Sequence, residues 1–253
     1  MNNTLTNGLA LLSLIANSGK SHGVTELAHM SGLPKSHVHR LLQSLVEARY
    51  LDKDYQSRYR ISVGALRLGR ELLRNIPIRQ TALPEMLSVA PRESLSLTLA
   101  LPFGYEAITV AHTSPDGTVR GPMESIGSVL SSHASASGKL FLAYKEDSEL
   151  QEILPELIFE PLGPNTHKDA SSLLDDLKRI RGRGYSINNC ENGFNTISLA
   201  CPITDQDGKV FAALGCSGAT ESLPLKKTDH FVGVLNSAIN NIRLNLKQEI
   251  TSL

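Results

Sequence analysis

Ser36, Arg40, Gln43 and Glu47 recur at intervals of three and four residues, flanked by Lys35, His37, His39 and Ser44. On a helix that spacing gathers short donors, an amide and a guanidinium onto one solvent-facing side. Such side chains reach the base edges and phosphates of a nucleic-acid duplex. Val38, Leu41, Leu42 and Leu45 fall at i, i+3, i+4 and i+7, so the same segment also has a face to bury. Other chemistry fails on spacing. Residues 132–140 carry His133 and Leu140 where a phosphate-binding loop needs Gly and Ser or Thr. Ser135 and Lys139 stand one residue too far apart for a Ser-x-x-Lys pair, and Gly215-Cys-Ser-Gly-Ala219 ends in Ala where a nucleophile elbow needs Gly. His37 and His39 diverge on a helix and make a poor metal pair, while His133 reads as a hydrogen-bonded structural residue. No catalytic set, cofactor or metal is expected.

The elements that must position the basic helix lie around it. Thr25 is expected to cap a preceding helix, Glu26 to sit at its positive end and Gly32 to stop it in the left-handed region. Pro34 then starts the next helix, giving two helices about a Gly turn. Upstream, Leu5, Leu9, Leu12 and Ala16, with Leu11 and Ile15, predict a helix over 4–17 that completes a three-helix core. Downstream, Tyr50 to Ile61 predicts a hairpin with Arg58 and Arg60 on the returning strand, the wing of a winged helix. Ser36, His37, Arg40 and Gln43 are the base-reading candidates. Lys35, His39, Arg58 and Arg60 are assigned to phosphates, and Thr25 joins the same surface.

Charge divides in the same place. Residues 1–75 hold 10 Lys+Arg against 5 Asp+Glu, and residues 76–253 hold 15 against 20, so a chain of net charge zero hides a basic end and an acidic remainder. At 253 residues there is room for a small head and a body with its own core. No apolar run of 18 residues and no leader-like start is present, so the expectation is a cytoplasmic protein without a membrane partner. Cys190, Cys201 and Cys216 are too few for a disulfide framework and are expected to be reduced.

The segment from Ser62 to Asn75 predicts a helix joining head to body, ended by Pro77. Beyond it, strands are predicted at 94–101, 107–112, 185–188, 197–203 and 210–216. Helices are predicted from the small-residue stretch Ser131-Ser-His-Ala-Ser-Ala-Ser-Gly-Lys139 to Tyr144, over 169–183 and over 224–248. Strands and helices without a βαβ period imply an α+β body on a largely antiparallel sheet. The working division is 1–62 for the head, 63–76 for the linker helix and 77–253 for the body.

These residues resemble the IclR family of bacterial transcriptional regulators. The likeness runs through Thr25-Glu-Leu-Ala, Ser31-Gly-Leu-Pro-Lys-Ser, Val38-His-Arg-Leu-Leu and Arg58-Tyr-Arg-Ile. In the body it rests on His133-Ala-Ser-Ala-Ser-Gly-Lys139, Arg181-Gly-Arg-Gly-Tyr185, Ile197-Ser-Leu-Ala-Cys-Pro-Ile203 and Val210-Phe-Ala-Ala-Leu-Gly-Cys-Ser-Gly218. The resemblance implies a winged helix-turn-helix, a linker helix and a GAF-like effector-binding domain, assembled as dimers or tetramers on inverted-repeat operators. It also implies a pocket for a small metabolite, an acidic one by the physics of a helix start at Ala136 and Ser137. Asn188 would stand there where the family often has Asp, with Ser198, Gly215 and Ser217 on the lining strands and Met123, Ile126 and Leu130 as an apolar wall. The competing expectation is a metabolite-binding or enzymatic protein whose head serves only association.

Overall fold

The computed structural model describes residues 3–116 and 126–251, which form two compact units, Met1–Asn75 and Ile76–Leu253. The first holds α1 (Asn3–Ser18), α2 (Val24–Ser31), α3 (Lys35–Glu47), the hairpin strands β1 (Leu51–Lys53) and β2 (Tyr59–Ile61), and α4 (Leu66–Arg74) after a short 3-10 turn. Leu11, Ile15, Leu27, Val38, Leu41, Leu42, Leu51 and Tyr59 form its core. Each Leu or Ile withdrawn from water there contributes about 1.5–3 kcal/mol, which is why so short a chain can hold three helices and a hairpin together.

Several local expectations change. Gly23, not Thr25, is the N-cap of α2 and supplies no side-chain bond; Thr25 lies exposed inside the first turn. Pro34 caps α3 from outside with ψ 139°, its carbonyl accepting from the amides of His37 and Val38, and Lys35 is the first helical residue. Gly32 does stop α2 at φ 67°. On α1 the buried line is Gly8, Leu11 and Ile15, while Leu5 and Leu9 are 70% and 53% exposed. Apolar periodicity named two adjacent stripes there, and packing uses only one. Pro77 does not close the linker helix; it opens α5 (Pro77–Glu93), where its missing N–H costs nothing.

The second unit continues with β3 (Ser96–Phe103), β4 (Glu106–Thr113), β5 (Val129–Leu130), α6 (Ala136–Ala143), α7 (Asp147–Ile153) and α8 (Ala170–Arg183). It closes with β6 (Ser186–Asn189), β7 (Ile197–Thr204), β8 (Val210–Gly218) and α9 (Thr228–Thr251). All pairings in the six-stranded sheet are antiparallel, in the order β5-β4-β3-β8-β7-β6. The protein is therefore α+β. Strand alternation sends Ala100, Ala200 and Ala213 toward α6 and α8, where Leu140, Leu142, Leu173, Leu177 and Ile180 complete the core. Small residues on those strands let α6 settle close to the sheet, which places its N-terminus over the sheet face. Among the described residues no helix is long and apolar enough to cross a membrane.

Candidate functional site

On the head, burial separates the two faces of α3 as their spacing required. Val38, Leu41 and Leu42 are buried, whereas Lys35, Ser36, His39, Arg40 and Gln43 are exposed. His37 is half-buried: Arg40 donates from its guanidinium to His37 Nδ1 at 3.1 Å, and the Asn7 amide lies 3.4 Å from Nε2. The shorter contact, with Nδ1 accepting, holds the direction in which Arg40 leaves the helix.

The two wing arginines divide. Arg60 is exposed, with a loose 3.9 Å contact to Asp52. Arg58 instead turns inward, its Nε donating to the Ser21 carbonyl at 3.1 Å and its guanidinium lying 3.5 Å from Glu26. Beside it buried His22 bridges Glu26 through Nδ1 and Ser18 through Nε2, both at 2.7 Å, and its backbone pairs with Tyr59. The hydrogen bond from His22 holds the Glu26 carboxyl below the ordinary carboxylate range. This latch between wing and helices was not foreseen, because its members are scattered from 18 to 59. At the wing tip, Asp54 Oδ1 accepts from the amides of Gln56 and Arg58, leaving Tyr55 fully in solvent.

In the second unit a cavity of about 370 Å³ opens over the start of α6. Ser135 caps the helix, accepting from Gly138 N at 2.9 Å and donating to Ser131 O at 2.6 Å. A Cβ at Gly138 would stand 2.2 Å from the Ser131 carbonyl, so only glycine allows this close start. Leu130, Ala136, Ser137, Asn188, Ser198, Gly215 and Ser217 all line the cavity, although they come from five separate elements. Ile126 does not line it; it sits in the turn before Gly127, whose amide bonds Thr109. Met123 lies outside the described residues.

The sequence did not point to Thr98, Thr109, His112, Ser128, Asn192, Thr196 and Cys216, which also line the cavity. Register was the missing signal: Thr98 faces both His112 and Gly215 across the sheet, and Ser198 faces both Ser217 and Asn188. Asn188 turns the following loop by accepting through Oδ1 from the amides of Glu191 and Asn192, and its Nδ2 points at Ser198 Oγ, 3.4 Å away. His112 Nδ1 pairs with the Thr98 hydroxyl at 3.1 Å, and burial pushes the His112 pKa down, favouring a neutral ring. Burial pushes the Cys216 thiol up to about 12, so it stays protonated. No charged side chain lines this cavity among the described residues. An anion entering it would meet the amide end of α6 instead.

Behind the cavity lies a buried charge cluster that sequence spacing concealed. Lys139, fully buried on α6, places its ammonium 2.7 Å from Asp176 Oδ2 on α8 and against Glu191 Oε2. His167 Nε2 stands 3.4 Å and 3.8 Å from the same two carboxylates, and Arg179 and Arg183 approach the other oxygen of Asp176. Burial raises the Asp176 pKa, but His167, Lys139 and Arg183 facing the carboxylate together outweigh it and hold that carboxyl far below its ordinary value. For Glu191 burial wins and its pKa is raised. His167, Asp176 and Glu191 are close enough together to bind a metal ion, but the Lys139 ammonium already supplies the cation against both carboxylates. His133, as its isolation suggested, is tied down: Nδ1 faces Ser131 Oγ at 2.9 Å and Nε2 faces the Glu160 carbonyl at 3.0 Å.

A basic helix presented by a three-helix core with a hairpin beside it defines a DNA-binding protein of the winged helix-turn-helix class. Residues 4–54 match the family model described as the IclR helix-turn-helix domain, and residues 70–244 match that described as Bacterial transcriptional regulator IclR C-terminal. The chain belongs to the IclR family and is a bacterial transcriptional regulator. It is 29% identical over 220 residues to the HTH-type transcriptional repressor AllR of Escherichia coli K12, covering 87% of this chain and 81% of that one. An IclR family regulator from Brucella abortus superposes with a TM-score of 0.80 at 27% identity, covering 97% and 92% of the two chains. An IclR homolog from Microbacterium hydrocarbonoxydans, complexed with 4-hydroxybenzoate, shares the fold with a TM-score of 0.76 at 23% identity over 97% and 99% of the chains. With relatives named as regulators, the enzymatic alternative is set aside.

Proposed function

We propose that the protein is a cytoplasmic repressor that binds an inverted-repeat operator as a symmetric homodimer, alone or paired into a tetramer, and changes its grip when a small carboxylate enters the α6 cavity. The single observation that carries the ligand reading is that cavity, an open cleft over a helix N-terminus lined by residues from five elements. The Microbacterium protein, whose structure holds an organic acid, lends support from a shared fold. The AllR relative supports repression by its name.

In this reading residues 1–62 are the head, 63–76 the linker and 77–253 the effector body. Ser36, His37, Arg40 and Gln43 read bases, while Lys35, His39 and Arg60 contact phosphates with Thr25 nearby. Arg58 positions the wing, since its guanidinium is spent on Ser21 and Glu26. The uncovered apolar residues of α1 and α4, Leu5, Leu9, Leu66, Leu68 and Leu72, support a second copy as partner.

Selection of the full-length protein on a random duplex library at physiological salt tests the DNA half: a two-fold symmetric motif is expected, and no enrichment by folded protein refutes it. Calorimetry with and without the selected operator tests the coupling. Ligand and DNA must alter each other's affinity by the same factor, and identical ligand affinity in both titrations would remove the regulatory link.

A further inference from the structure

We infer that the effector is a small aliphatic acid bearing several oxygen substituents, a polyhydroxy or hydroxy-oxo carboxylate, rather than an aromatic or plain fatty acid. This deepens the proposed function and rests on its placement of the effector over α6.

Ligand cavities are ordinarily lined by hydrophobic and aromatic side chains with a few placed polar groups. Here the placed polar groups are unusually many and the large apolar side chains few, although most of the exposed lining is still carbon. Among the described lining residues the large aliphatics are Leu130 and Leu199, and the imidazole of His112 is the one ring. Of the expected apolar wall, Leu130 lines the cavity, Ile126 does not, and Met123 lies outside the described residues. Among the other lining side chains, hydroxyls and amides on the sheet floor and the helix start are the most numerous.

Two of those hydroxyls are left without a partner among the described residues. They belong to Thr109 and Ser137, which are 3% and 6% exposed and line the cavity. An apolar ligand would seal them off unsatisfied, whereas a ligand with hydroxyl or oxo groups would satisfy them. A third observation extends the demand along the floor. Ser217, Ser198 and Asn188 stand in one cross-strand row, so neighbouring strands offer two hydroxyls and the Nδ2 edge of an amide, its Oδ1 being taken by the loop, in steps of about 4.8 Å. One carboxylate at the α6 amides cannot reach all of them; oxygen substituents distributed along a chain can. Neutral His112, with Nδ1 engaged by Thr98, leaves Nε2 as a further hydrogen-bonding atom that carries no charge. The pocket thus asks for one negative group and several neutral oxygens.

The test uses full-length protein and calorimetry at neutral pH with glycerate, tartrate and D-gluconate, set against hexanoate and 4-hydroxybenzoate. The best hydroxylated acid is expected to bind at least tenfold more tightly than hexanoate. Thr109→Val, which keeps the shape and removes the hydroxyl, and Ser198→Ala should each shrink that ratio several-fold. The ratio is read because a folding defect lowers both affinities together and leaves it unchanged. Tighter binding of hexanoate or 4-hydroxybenzoate, or an unaltered ratio in both variants, would overturn the inference while leaving an acid-binding pocket in place. Silence from all five acids, with DNA binding intact, would instead overturn the effector reading on which it rests.

Discussion

Replacing Lys139 by Met removes the ammonium that sits between Asp176 and Glu191 while keeping most of the buried stem. Deleting one partner of a buried ion pair costs about 3–5 kcal/mol, because the charge left behind has lost both water and counterion. For a unit of this size each kcal/mol moves the melting temperature by about 2–4 °C, so the variant should melt roughly 6–20 °C lower at neutral pH. The loss should depend on pH in a definite direction. Burial already raises the Glu191 pKa, and without Lys139 the neighbouring Asp176 charge raises it further. A group whose folded pKa is raised contributes its full stability below the unfolded carboxylate value and loses it as pH climbs through the folded one. The deficit of Lys139→Met should therefore be smaller at pH 5 than at pH 8, with His167, Arg179 and Arg183 still facing Asp176 in both cases. Thermal unfolding followed by circular dichroism across that range measures it. A variant within 1 °C of the parent at neutral pH, or a deficit that does not change from pH 5 to pH 8, would refute this account of the cluster.

On the selected operator, Arg40→Ala should weaken binding by about 1–3 kcal/mol and relax sequence preference, whereas Arg60→Ala should weaken specific and random duplexes alike; equal discrimination in the two variants would contradict the division. If a dimer neutralises about eight phosphates, log K against log salt should fall with a slope near −7, and a flat plot would exclude a phosphate-dominated interface. Leu9→Asp should lower the association constant of the protein measured by sedimentation without unfolding the head, since Leu9 is exposed; unchanged association would clear that stripe of α1. Gly138→Ala should abolish ligand binding and lower the melting temperature, because its Cβ would collide with the Ser131 carbonyl; normal ligand affinity in that variant would show that the helix start can yield.

What the sequence disclosed depends on how locally each feature is encoded. The head was legible because its signals lie within a turn or two of one another: Gly32 at a positive φ, the i, i+3, i+4, i+7 line of Val38, Leu41, Leu42 and Leu45, and a wing turn closed by Asp54. Thr25 was misread because a residue able to cap a helix does so only where backbone geometry puts it, and here the chain enters α2 through Gly23. The helix α5 escaped because Pro84 and Pro91 lie inside it, where a proline ordinarily argues for a break. In the body the cavity was placed by the family resemblance, through the small-residue stretch before Lys139 and the strands of Ser198 and Gly215. Thr98 and His112 joined it only through cross-strand register, a long-range quantity. The Lys139 cluster was invisible for the same reason: its members at 139, 167, 176 and 191 share no motif.

The end of β6 and the loop after it serve two neighbours at once, Asn188 and Asn192 bordering the cavity and Glu191 abutting Lys139, while Lys139 itself belongs to α6, whose first turn lines the cavity. Cavity and cluster thus share α6 and this stretch of chain. At an effective dielectric of about 20, stretching the 2.7 Å contact between Lys139 and Asp176 by about 1 Å alters its Coulomb energy by roughly 1.7 kcal/mol, more than tenfold in an equilibrium constant. That matches the size of a typical allosteric coupling. A displacement of α6 too small to change the fold would therefore suffice to convert occupancy of a neutral pocket into a substantial electrostatic signal at α8.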